Sequence, residues 1–248
     1  MKLLIVFFLL MLSLPAISKD WSLTHFQAAV GAEYLSNLNK RGATLYEGYQ
    51  VIPIFAIELF HPDFELIGST LNYKHRINPY LLLRTRLNLS ASGDKPLYET
   101  NAALLEQREG TMEWDGFIEF ALPGRGELSL EYSQDLKTHK GFYTEAKIRI
   151  VVTDFSFRGR TFEPAVFASL GGGNLAHNSY LYGVGSSDYT ATNYSLGVSL
   201  SAPPEIDHFF PVLQFKYYEL IGDATRTASF IGSRNSGFQV LGLFAFKL

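Results

Sequence analysis

The chain has 248 residues, with 21 Lys and Arg against 24 Asp and Glu, a formal net charge of −3 and no cysteine. Such mild acidity speaks against a nucleic-acid partner, which requires a basic surface, and the missing thiols exclude disulfide staples, thiol nucleophiles and cysteine metal sites together. Aromatic side chains make up 15% of the residues, a supply suited to the Tyr and Phe belts of a membrane interface.

The first segment, "MKLLIVFFLLMLSLPAIS", carries a basic Lys2, an apolar run from Leu3 to Leu14, a break at Pro15, and the small residues Ala16 and Ser18 ahead of Lys19. That pattern is a cleaved secretory signal, residues 1–18, and its apolar run is too short for the roughly 20 residues of a membrane-spanning helix. Residues 19–248 are then the exported domain. Beyond the signal the longest apolar run is "VIPIFAI", so no further membrane helix is expected.

Period-two segments follow along the chain. The first three candidates are residues 23–34, 50–58 and 64–73, the last with poor alternation. In "YLLLRTRLNLS", residues 80–90, Leu81, Leu83, Thr85, Leu87 and Leu89 share one face, and Arg84, Arg86 and Asn88 share the other. "EWDGFIEFAL" sets Trp114, Ile118 and Phe120 against Glu113, Asp115 and Glu119. After the turn "PGRG", "ELSLEYSQDL" sets Leu128, Leu130 and Tyr132 against Glu127, Ser129, Glu131 and Ser133, which makes the pair a hairpin. "YTEAKIRIVV" opposes Ile148, Ile150 and Val152 to Glu145, Lys147 and Arg149. "FEPAVFASL", "TNYSLGVSL", "FFPVLQFKYYEL" and "GFQVLGLFAFKL" complete the series.

Alternation alone does not separate a soluble sandwich, with its grease inside, from a barrel with a polar lumen and a lipid-facing wall. Export, strands of about 9 to 11 residues, aromatic residues near strand ends and the apolar row Phe238, Val240, Phe244, Phe246 and Leu248 favour the transmembrane antiparallel β-barrel. Connections alternate between long and short, with the long ones assigned to the outside. An even strand total is required, and the segments number eleven. Setting aside 64–73 gives ten strands, with twelve as the alternative.

The charged face supplies the candidate site. Arg84, Arg86, Asp115, Glu119, Glu127, Glu131, Glu145, Lys147 and Arg149 point into the lumen, where they form either an ion-selective constriction or proton relay, or a salt-bridged filling. The filling is favoured, because charges in a narrow barrel must pair or be hydrated. His177 and Ser179, two residues apart in a segment read as a loop, would point the same way if extended and so invite a lipid-hydrolase reading. No third orienting group accompanies them. The six histidines show no metal spacing, with His61, His75, His139 and His208 beside turn residues. Gly171 to Gly173 are expected to open no helix and so to cradle no phosphate. Neither a catalytic residue nor a cofactor is expected.

With these residues in view, the chain resembles the MltA-interacting protein (MipA)/OmpV family. "EYSQDLKTHKGFYTEAKI" is similar to that family's strand, turn and strand. "SYLYGVGSSDY" resembles its aromatic-glycine-valine segment through Tyr182, Gly183 and Val184, and "YYELIGDATRTASFIGSRNSGFQVLGLFAF" is similar to its final hairpin. The resemblance implies a barrel in the Gram-negative outer membrane, with lipid around it. It also implies a non-enzymatic scaffold whose partners are a murein lytic transglycosylase and a murein synthase, other members being tied to adhesion or antibiotic uptake. A narrow solute channel is the alternative reading.

Overall fold

The computed structural model describes residues 22–35, 39–40, 43–44, 48–60, 63–67, 70–91, 111–183, 188–202, 209–228 and 235–247. The expected signal, residues 1–18, lies outside them. In chain order the strands are β1 (Ser22–Leu35), β2 (Asn39–Lys40), β3 (Ala43–Thr44), β4 (Gly48–Phe60), β5 (Phe64–Ile67), β6 (Thr70–Asn78), β7 (Leu81–Ala91), β8 (Thr111–Leu122), β9 (Gly126–Asp135), β10 (Phe142–Val151), β11 (Phe155–Phe157) and β12 (Arg160–Gly173). Helix α1 (Leu175–Tyr182) precedes β13 (Thr190–Ser201) and β14 (Phe209–Leu220), and α2 (Asp223–Arg226) precedes β15 (Ser236–Lys247).

Thirteen strands share one sheet. One of them, β11, pairs only with β12, and the remaining twelve close on themselves, because β1 pairs with β15 and β10 pairs with β12. Every ladder is antiparallel. The protein is therefore an antiparallel β-barrel of the outer-membrane type, and its ring takes the twelve-strand alternative among the described residues.

The difference from ten lies in residues 64–73. Their alternation is poor because they belong to two strands: Ile67 pairs with Thr70 and Phe64 with Tyr73, so the segment is β5 paired antiparallel with the start of β6. One strand set aside is in fact two, and the even total is kept.

Register explains the wall. Val166, Val198, Phe215 and Val240 are successive partners across β12, β13, β14 and β15, and they are 42%, 52%, 44% and 43% exposed. In a soluble sandwich such a row would be the core. Here the opposite parity of the same strands holds the buried side chains, Ala165, Phe167, Ser195 and Tyr218 among them, so hydrocarbon is the solvent that favours the row. The height agrees as well. From Phe142 to Val151 β10 climbs roughly 30 Å at about 3.3 Å per residue, which a tilt of about 40° reduces to roughly 23 Å, close to the apolar band of such barrels. Trp114, Tyr132, Phe142 and Tyr189 form a chain of ring contacts at the long-loop end of this band, with centroids 5.6–6.1 Å apart.

At the short-turn end, the β8–β9 hairpin turns through Gly124 and Arg125 at positive φ. A left-handed arginine is strained, and ion pairs hold it. Its guanidinium bonds Asp154 and reaches Glu163 at 2.5 Å. The hydrogen bond to Asp154 holds the Arg125 guanidinium above its ordinary range.

Candidate functional site

The predicted charges do come together. Glu131 pairs with Glu145, Ser129 with Lys147 and Glu127 with Arg149 across β9 and β10, while Arg84 and Arg86 stand on β7 opposite Phe117 and Asp115 of β8. Period two then turns all of them to one face. Arg84, Arg86, Glu119, Glu127, Glu131, Glu145 and Lys147 line a polar cavity of about 220 Å³ with Ser129 and Phe117. Arg149 stands on the same parity, two positions beyond Lys147, outside that lining.

Ion pairs tie the cluster. Arg84 reaches Glu119 at 2.5 Å and Arg86 reaches Asp115 at 2.6 Å, with Glu131 at 3.9 Å from Arg86. Asp115 is 1% exposed, and Ser133 Oγ donates a further hydrogen bond to its Oδ1. A buried carboxylate needs such partners, since an unpaired one would carry a large desolvation cost. Phe117 organises the cations, with the Arg84 and Arg86 guanidinium carbons 4.3 Å and 5.0 Å from its ring centroid. Lys147 sits likewise over Phe167, 5.2 Å from the centroid. Sequence reading missed both aromatics, although Phe117 shares the parity of Asp115 and Glu119 and could have been placed by it.

The long-loop end is filled differently. Tyr143, buried at the top of β10, shares its one hydroxyl hydrogen between Glu145 Oε2 at 3.0 Å and Asn193 Oδ1 at 3.3 Å. Asp135 ends β9 and accepts from the backbone of Lys137 and Thr138 at 2.7 Å and 2.8 Å. His139 completes that loop: its Nδ1 accepts from Gly141 N, so its Nε2 carries the hydrogen that faces Asp135 Oδ2 at 3.0 Å. The His139 ring then packs on His177 and Tyr180 of α1.

The helix itself corrects the sequence reading. Gly171 to Gly173 end β12, and Asn174 directly caps α1, its side chain accepting from His177 N at 3.1 Å and from Phe142 N at 3.0 Å. Asparagine is a preferred N-cap. The expectation that the glycines open no helix fails for that reason. Its consequence for chemistry is direct, because residues two apart on a helix point about 200° apart. His177 is buried and Ser179 exposed, so the hydrolase pair is not assembled. Leu181 and Tyr182, at the end of α1, pack with Leu220 and Ala228.

No family model matches the chain, and no curated protein matches it. Among solved structures the chain is similar to the KdgM porin and to LpxR from Salmonella typhimurium, each at 9% identity and a TM-score of 0.43, covering 89% of this chain and 99% of the other. A mutant Rh. blastica porin aligns over 90% of this chain and 99% of its own at 8% identity, with a TM-score of 0.20. The closed ladder and the exposed apolar rows carry the barrel assignment independently of these likenesses.

Proposed function

We propose that the chain is an outer-membrane barrel of the Gram-negative envelope, reached through a cleaved signal, that works as a scaffold rather than as an open pore. The observation that supports this is how the described inward side chains occupy the interior: ion pairs across β7, β8 and β9 at mid-height, and Tyr143, Tyr182, Tyr218 and Leu220 buried toward the long-loop end. Small barrels are filled by side chains, and only wider ones leave an aqueous channel. The family resemblance suggests what is scaffolded, namely a murein lytic transglycosylase and a murein synthase.

A narrow solute pathway is the second reading, favoured by the polar cavity itself. Its lining holds three cationic side chains against four glutamates, a balance that would admit small cations before anions. Planar-bilayer recording of the purified chain separates the readings. Silence or very small steps, together with capture of a murein enzyme from the periplasm, supports the scaffold. Steady ohmic steps without capture support the channel.

A further inference from the structure

The outer wall is not uniformly filled. A groove of about 520 Å³ lies across β12 to β15, walled by Val166, Val198, Leu213 and Phe215 and reaching Pro164 and Phe155 at its short-turn end. Gly242, the register partner of Leu213, adds no side chain to that outward row. The groove is continuous with the apolar rows, so an acyl chain can enter it without leaving hydrocarbon.

What lies below the groove is chemically different. The last β10–β12 partners are Val151 and Ala165, and beyond them β11 and the first residues of β12 project as a small hairpin on the short-turn side. Phe155 stacks on Phe162 with ring centroids 5.5 Å apart and an interplanar angle of 15°. Phe155 and Phe157 are 45% and 59% exposed, as aromatic belt residues are at the level of lipid headgroups. Arg158 forms the tip, its guanidinium carbon 5.4 Å from the Phe157 ring centroid, and Arg160 is the register partner of Phe157.

We propose that this face binds an anionic glycerophospholipid of the periplasm-facing leaflet, with an acyl chain in the groove, the glycerol beside Phe155 and Phe157, and the phosphate at Arg158 and Arg160. The order of chemistries along the barrel axis, from apolar groove through aromatic belt to guanidinium groups, matches the order within one lipid molecule. Guanidinium forks suit phosphate oxygens. A periplasmic protein would not need the groove, which opens toward hydrocarbon. The inference depends on the membrane wall and is independent of the scaffold reading.

The test uses the full chain folded in detergent micelles doped with equal phosphatidylglycerol and phosphatidylethanolamine, followed by native mass spectrometry of the retained lipid. The expected result is preferential retention of phosphatidylglycerol, falling roughly thirtyfold in the Arg158→Ala/Arg160→Ala double variant, as two juxtamembrane cations would dictate. Heat-modifiability on gels should be unchanged. A second variant, Leu213→Trp, fills the groove without touching charge and is expected to reduce retention of both lipids. Equal retention of the two lipids by the wild type would overturn the proposal. So would undiminished phosphatidylglycerol in the folded double variant, including the case in which that variant instead loses a periplasmic protein partner.

Discussion

Arg86 Nε meets Asp115 Oδ2 at 2.6 Å across β7 and β8, and the two side chains differ sharply in exposure, 36% for the arginine and 1% for the aspartate. The acid is therefore the member that depends on the pair. Arg86→Ala takes the charged partner away from a buried carboxylate that Ser133 still hydrogen-bonds. The expected cost is about 2–3 kcal/mol, at the lower end for a broken buried pair because water still reaches the arginine's position. Removing both partners should cost less than the sum of the single changes. Denaturant unfolding of the barrel in detergent, run as a double-mutant cycle, gives the coupling directly, expected at about 1 kcal/mol or more.

A close approach inside the barrel gives a second prediction. A Cβ built on Gly171 would meet the Tyr143 hydroxyl and ring, because Gly171 and Tyr143 stand on the inward parity of neighbouring strands. Gly171→Ala is expected to destabilise the barrel by about 1–3 kcal/mol through overpacking. Adding Tyr143→Ala relieves the clash, so the double variant should lose less than the two singles combined. The measurement is the shift in unfolding midpoint at unchanged denaturant slope.

The helix at the loop end separates packing from chemistry. Ser179 is exposed and points away from His177, so Ser179→Ala should leave both the heat-modifiability of the barrel and the cell's lipid composition unchanged. His177 is buried against the rings of His139 and Tyr143. Its replacement by Ala should open the loop end and speed protease cleavage within residues 174–189. Lipid composition read by mass spectrometry and a timed proteolysis series check the two outcomes. A hydrolase built on this pair would reverse the first of them.

Legibility in the sequence followed the number of faces a segment must satisfy. β8, β9 and β10 face lipid on one side and a charged lumen on the other, so Ile118, Leu130 and Ile148 alternate cleanly with Glu119, Ser129 and Lys147, and the cluster of charges was readable from parity alone. The β5–β6 hairpin was not, because β5 is only four residues long and too short to establish a period. Its signal was the Gly68-Ser69 pair, a dipeptide typical of two-residue hairpin loops. Helix α1 was hidden for a related reason. Eight residues give too few turns for a period of 3.6 to show, yet Asn174 stood in front of it as a cap. Phe117 and Phe167 were hidden by their type, since an aromatic is expected on the greasy face and here two of them serve cations in the lumen.

Hydrocarbon covers one parity of each strand and the lumen the other. The chain has no cysteine, so single cysteines at successive positions of β10, from Ala146 to Val151, can each carry a nitroxide in the protein reconstituted into lipid. Oxygen, which concentrates in hydrocarbon, should collide strongly with labels at Ala146, Ile148 and Ile150 and weakly with those at Lys147, Arg149 and Val151. Oxygen accessibility that rises and falls with no period of two, or that peaks at Lys147 and Arg149, would contradict this two-sided wall.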